Sequence, residues 1–179
     1  MPNLIEQIHQ DHVSISKILD LVEKEVDRAY KERMPNLELL EDAMRYMVNY
    51  PDLIHHPKED AMFARLVRNE PDVSGQVEAL RQEHVALAEL SAAFLEIVKA
   101  AQSGEFVQRK KVVKRGREYV ETLRAHMNTE EAGLLKRARA SLSDKDLEQI
   151  DSEYASVRDP LMEESLEKEY EALYRSLFG

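Results

Sequence analysis

Apolar residues recur along this chain at steps of three and four, in four long stretches and two short ones. From residue 3 to 30 the stripe is Ile5, Ile8, Ile15, Leu19, Val22 and Val26, the spacing of one helix face. The long step from Ile8 to Ile15 is filled by His12, where an aliphatic residue is expected. Met34-Pro35-Asn36 breaks the pattern, and Asn36 is placed to cap the next helix. A second helical region spans about 37–69 on Met44, Val48, Pro51, His55, Glu59, Met62 and Leu66. Pro51 and Pro57 each remove a backbone donor and disfavour helix just before them. A kink is expected, or a break with a restart near Pro57 that would loosen the alignment of His55 with Glu59.

The third stretch, 74–102, carries Val77, Leu80, His84, Leu87, Ser91, Phe94 and Val98, with Gly104 suited to close it. The fourth, 107–140, carries Val112, Gly116, Tyr119, Leu123, His126, Glu130 and Leu134. Gly116 is costly inside a helix and marks close packing. Residues 141–179 read as two short helices. One starts at Ser143-Asp-Lys-Asp146, a variant capping box. The other comes after Asp159-Pro160 and carries Leu166, Tyr170, Leu173, Tyr174, Leu177 and Phe178. Its aromatic face is expected to pack on the preceding helices, with a dimer contact as the alternative.

Short turns between long helices imply antiparallel neighbours. The expected architecture is therefore all-α: an up-down antiparallel four-helix bundle over 1–140, with a helical extension, 141–179, packed on it. Depth can be counted from the turns. His12 lies 22 residues before Met34 and His55 21 after it; His84 lies 20 before Gly104 and His126 22 after it. At about 1.5 Å per residue the mismatches are a few ångströms, so the polar interruptions of all four stripes fall at one level.

Composition narrows the chemistry. A net charge of −10 argues against nucleic acid, since no basic field exists to displace counterions. The one basic run, Arg109-Lys-Lys111 with Lys114, Arg115 and Arg117, reads as a solvated face at a helix start. No stretch has membrane-spanning length and no secretory leader is visible, so a cytoplasmic protein without a membrane partner is expected. With no cysteine, any metal must be held by nitrogen and oxygen.

His55-x-x-x-Glu59 and His126-x-x-x-Glu130 each set an imidazole and a carboxylate on one helix face, and both lie on otherwise apolar stripes. A single histidine there is usually a hydrogen-bonded core residue. Four histidines and two glutamates at one depth are too much buried polarity for a core that needs none. Two cations would neutralise the carboxylates and use the imidazole lone pairs. The candidate ligands are His12, His55, Glu59, His84, His126 and Glu130. His56 is a possible extra ligand, a supporting donor or a surface residue, and His9 is a supporting or exposed residue. Tyr50 and Tyr119 could reach the site or simply pack. The donor set suits iron, manganese or zinc.

Gln10-Asp11-His12, His55-His-Pro-Lys-Glu-Asp60, Glu83-His84 and His126-Met-Asn-Thr-Glu-Glu131 together resemble the hemerythrin HHE cation-binding family over about residues 4–140. The resemblance implies a four-helix bundle holding two iron ions, oxo- or hydroxo-bridged, on the six ligands above. Oxygen-carrying hemerythrins have His-x-x-x-His on the third helix; here Leu80 and Ala88 flank His84 at that spacing, which leaves a place for His56 or water. The departure favours reacting with or sensing a ligand over reversible carriage. The expected ligands are oxygen, nitric oxide or peroxide, or the protein senses iron or redox state. A peroxide-decomposing di-iron enzyme and a metal-free helical interaction module are the alternatives, and 141–179 could serve a protein partner or a dimer.

Overall fold

The computed structural model of the chain describes residues 3–154, 159–161 and 170–178, among which there is no strand. Helix α1 spans Leu4–Tyr30 and opens with a capping box: the Glu6 N–H donates to Asn3 Oδ1 and the Asn3 N–H to Glu6 Oε2. These two bonds satisfy donors that a helix start leaves open. Asn36 caps α2 (Leu37–Asn49) as the sequence predicts, accepting from the Leu39 N–H at 3.1 Å. The Asn36 N–H in turn donates at 2.7 Å to Glu25, a carboxylate buried on α1. Helix α3 covers His56–Asn69, α4 Ser74–Gln102, α5 Arg109–Ala132, α6 Leu134–Ser141, α7 Asp144–Glu153 and α8 Glu171–Phe178.

The second region breaks after Asn49 and restarts as α3 at His56, next to Pro57, which is the break with a restart near Pro57 that the sequence allows. Pro51 has no N–H for the helical ladder, and the chain answers with a π turn over Pro51–His55, in which the His55 N–H reaches the Tyr50 carbonyl at 3.2 Å. Pro57 then sits in the first turn of α3, where its missing donor does no harm. Val48 is only partly buried; Tyr46, Met47 and Tyr50 fill that part of the core instead. The fourth region is two helices, not one. It breaks at Gly133 (φ −120°, ψ −90°), where a Cβ would stand 3.2 Å from the Thr129 carbonyl. Gly104 closes α4 as expected, at φ +87°, with the Glu105 N–H bonded back to the Ala100 carbonyl.

Helix α1 packs on α5 and α2, and α4 packs on α2 and α5. The interior is two apolar clusters. One holds Ile15, Leu19, Met44, Met47, Leu87, Phe94 and Leu123. The other holds Ile8, Met62, Phe63, Leu80, Leu134 and Leu135. Each long segment passes from one to the other through a gap, and the gaps contain His12, His55, His56, Glu59, His84, His126 and Glu130, all buried. A single polar layer therefore divides the core.

Gly116 is where α5 meets α1 and α4. A Cβ there would lie 2.4 Å from Val26 Cγ2 and 2.9 Å from Phe94 Cζ. Gly116→Ala gains up to ~1 kcal/mol of helix propensity, but overpacking a filled core costs about 1–3 kcal/mol. The substitution is expected to lower the urea midpoint of unfolding, by about 1 kcal/mol net in the linear extrapolation.

The C-terminal helices lie on this core. Helix α7 begins with the Ser143–Asp146 capping box and buries Leu147 and Ile150 in the second cluster. Tyr154, just beyond it, donates its hydroxyl to the Pro57 carbonyl at 3.0 Å, and Asp151 approaches the buried Lys58 ammonium at 3.6 Å. Before α8, Tyr170 stacks edge-on against Tyr46 and accepts from Asn49 Nδ2; Leu173 is buried, whereas Tyr174 is 37% exposed. Leu166 lies outside the described residues. No helix of the described residues is long and apolar enough to cross a membrane.

Candidate metal centre

All six residues predicted as ligands meet in the polar layer. His12 Nε2 stands 3.2 Å from Glu59 Oε1 and 3.4 Å from Glu130 Oε2. His55 Nε2 is 3.4 Å from Glu59 Oε2, and His126 Nε2 is 3.4 Å from Glu130 Oε2. His84 Nε2 lies 3.6 Å from Glu59 and 3.5 Å from Glu130. The π turn thus leaves the His55–Glu59 alignment intact. His56 is the residue that sequence left open. It is buried, its ring stacks on His84 with centroids 4.4 Å apart, and its edge faces His126 at 5.6 Å. Adjacent helical residues diverge by about 100°. On a segment with helices on either side, that divergence sends His55 toward His12 and His56 toward His84.

The donor atoms form two groups, each within 4.8 Å: His12, His55 and Glu59, and His56, Glu59, His84 and His126. Glu59 belongs to both. Donors sharing an ion through bonds of about 2.1 Å stand roughly 3 to 3.5 Å apart, and the Glu59 oxygens lie 3.2, 3.4 and 3.6 Å from Nε2 of His12, His55 and His84, a spacing that fits a cation in each group. The hydrogen bonding points the same way. Nε2 of His12, His84 and His126 and both oxygens of Glu59 and Glu130 have no hydrogen-bond partner among the described residues. Buried polar atoms left so are expensive, whereas lone pairs aimed at a common point are what a cation uses.

The remaining ring nitrogens are not idle. His55 Nδ1 lies 3.0 Å from Asp11, His84 Nδ1 3.0 Å from Asp60, His126 Nδ1 2.9 Å from Glu83 and His12 Nδ1 2.9 Å from Glu131. A proton held at Nδ1 by a carboxylate leaves Nε2 as a free donor toward metal and fixes the ring. These four acids were not assigned from sequence, although each directly neighbours a candidate ligand. The signal lay in that adjacency: the next residue on a helix points sideways, at the neighbouring helix. Tyr50 belongs to the same network, its hydroxyl donating to Asp11 at 3.1 Å. Tyr119 is fully buried and packs near Phe94. His9 is exposed and meets Glu131.

Charge in the layer is strongly coupled. Burial works against a protonated His12, but Glu130 and Glu59 outweigh it and hold its pKa well above the ordinary imidazole value. His84 is likewise opposed by burial, yet Asp60 and Glu130 push it up to about 9. Glu130 is driven well below the usual carboxylate range by His12 and His84, against its own burial. Burial, reinforced by the neighbouring imidazoles, keeps His56 neutral. Burial also pushes Asp52, which faces His56 at 3.5 Å, up to about 6. Without a cation, protons on His12 and His84 serve as the counter-charge of the glutamates.

A groove of about 420 Å³ between α1 and α5 reaches His12 from the surface, with Ser16, Arg124 and Glu131 in its wall. A family model described as the hemerythrin HHE cation-binding domain matches residues 3–138 of this chain. No curated protein matches it.

Proposed function

Because the chain belongs to the hemerythrin HHE cation-binding domain family, we propose that its polar layer holds two iron ions and that the protein binds or senses a small ligand: oxygen, nitric oxide or peroxide. The architecture we assign is an up-down bundle of four rods formed by α1, α2 with α3, α4, and α5. Glu59 and Glu130 would serve both ions; His12 and His55 would hold one and His84 and His126 the other, with His56 available where α4 lacks a second histidine. The observation that carries this reading is the set of buried, unpartnered lone pairs on Nε2 of His12, His84 and His126 and on both glutamates. A metal-free interaction module offers no reason to retain them.

Iron bound there supplies a Lewis acid and a one-electron redox partner. The chain's own residues do the rest. Asp11, Asp60, Glu83 and Glu131 hold the rings in orientation, and the two apolar clusters keep bulk water from the layer. The groove beside His12 admits a small molecule. Aerobic purification from iron-replete cells is expected to give about two iron per chain by elemental analysis, the stoichiometry of bundle di-iron sites, with near-ultraviolet charge-transfer absorption that nitric oxide or azide alters. A colourless protein fully loaded with zinc from the same cells would overturn the assignment of iron.

A further inference from the structure

The end of the molecule formed by the α1–α2 and α4–α5 connections carries charge and apolar surface that the core does not use. Residues 104–117 hold six cations against a single acid, Glu105, in a chain of net charge −10. Arg109, Arg115 and Arg117 are engaged by Glu32, Glu118 and Asp27. Lys110, Lys111 and Lys114 are exposed, and no ion pair engages them among the described residues. The Arg109–Glu32 bond and the Arg117 guanidinium, 4.2 Å over the Tyr30 ring, bring the α1–α2 connection alongside. That connection adds the exposed Lys31 and Arg33, with Met34 78% exposed. Phe106 is 93% exposed and flanks a shallow recess of about 520 Å³ lined by Val107, Lys110, Lys111 and Lys114.

Single exposed apolar residues are ordinary. Here two stand beside cations that no ion pair engages among the described residues. The first turn of α5 also has no acid, although acids are favoured at that end of a helix dipole, so the positive potential there is uncompensated.

We propose that this end docks on an anionic lipid bilayer. Lys31, Arg33, Lys110, Lys111 and Lys114 meet the headgroup anions, while Phe106 and Met34 enter the interface. Stable attachment to a membrane surface takes two signals, basic and apolar, and clusters of this size and composition suit acidic leaflets. A bilayer yields to protruding side chains, whereas a folded acidic partner must supply a matching hollow. The sequence alone reads the basic run as a solvated face without a membrane partner; the exposure of Phe106 in its midst is what the structure adds. The proposal is independent of the metal reading.

The test is flotation of the full chain with phosphatidylcholine vesicles, with and without about one third phosphatidylserine, near physiological salt. Binding to the anionic vesicles alone is expected, weakening steeply as salt rises. K110E/K111E is expected to weaken it by at least tenfold, since each cation contributes roughly fivefold. F106S is expected to weaken it while leaving the thermal midpoint unchanged, because the side chain is already in water. Absence of binding to anionic vesicles overturns the proposal, as does equal binding to neutral ones. So does binding that survives both variants, or capture of an acidic protein by a chain that ignores vesicles.

Discussion

Stripping cations from the protein with a chelator is expected to lower its thermal midpoint by roughly 15–30 °C, and restoring ferrous iron or zinc to raise it again. The magnitude comes from linkage. A ligand that binds only the folded state at a thousand times its Kd contributes about 4 kcal/mol, so two cations contribute about 8 kcal/mol. In domains of this size each kcal/mol moves the midpoint about 2–4 °C. The metal-free protein should still fold, because protons on His12 and His84 stand against Glu59 and Glu130. Its far-ultraviolet circular dichroism should therefore change little while calorimetry shows the shift. Midpoints that coincide with and without chelator would mean that the layer is a closed polar network with no use for a cation.

Glu59→Gln is expected to abolish that difference. Glu59 is 0% exposed and is the residue common to both donor groups. Its amide replacement keeps the shape, removes the charge and turns one acceptor into a donor aimed at imidazole lone pairs. Metal content should fall from about two ions per chain to below one. The metal-free variant should also be less stable than the metal-free parent, since removing one member of a buried charge pair costs about 3–5 kcal/mol. Glu131→Gln provides the contrast. Glu131 is 35% exposed and meets the outer nitrogens of His9 and His12, so its loss should weaken metal binding by about 10–100-fold without eliminating it. If Glu59→Gln retained two ions at parental affinity, the sharing of that carboxylate would be wrong.

Much of this was legible in the chain because helical periodicity reports both burial and depth. The stripes of α1, α4 and α5 are buried as read, and counting from the turns placed His12, His55, His84 and His126 at the level where the structure gathers them. What escaped was local. The two prolines announced an interruption of the second region, but periodicity has no term for a π turn, so its form and the partial exposure of Val48 were not visible. His56 was left open because a residue 100° off the stripe normally faces solvent. Here it faces a second pair of helices, which becomes evident only once the neighbours are in place. Asp11, Asp60, Glu83 and Glu131 look like ordinary surface acids on their own helices, because each finds its partner on the next one. The break at Gly133 was hidden because the apolar stripe runs on across it: Glu130 and Leu134 on either side are both buried.

Those four acids also link the rods into a closed circuit. Asp11 on α1 holds His55, Asp60 on α3 holds His84 on α4, Glu83 on α4 holds His126 on α5, and Glu131 on α5 holds His12 back on α1. Each rod is therefore clasped twice, once by the acid it offers and once by the imidazole it presents. Sliding any one rod along its axis by a single turn, about 5.4 Å, would break two clasps at once. Shear between neighbours, a common way for helical proteins to change shape, is thereby blocked at mid-height, and any movement must come from the ends or from the helices laid over the outside.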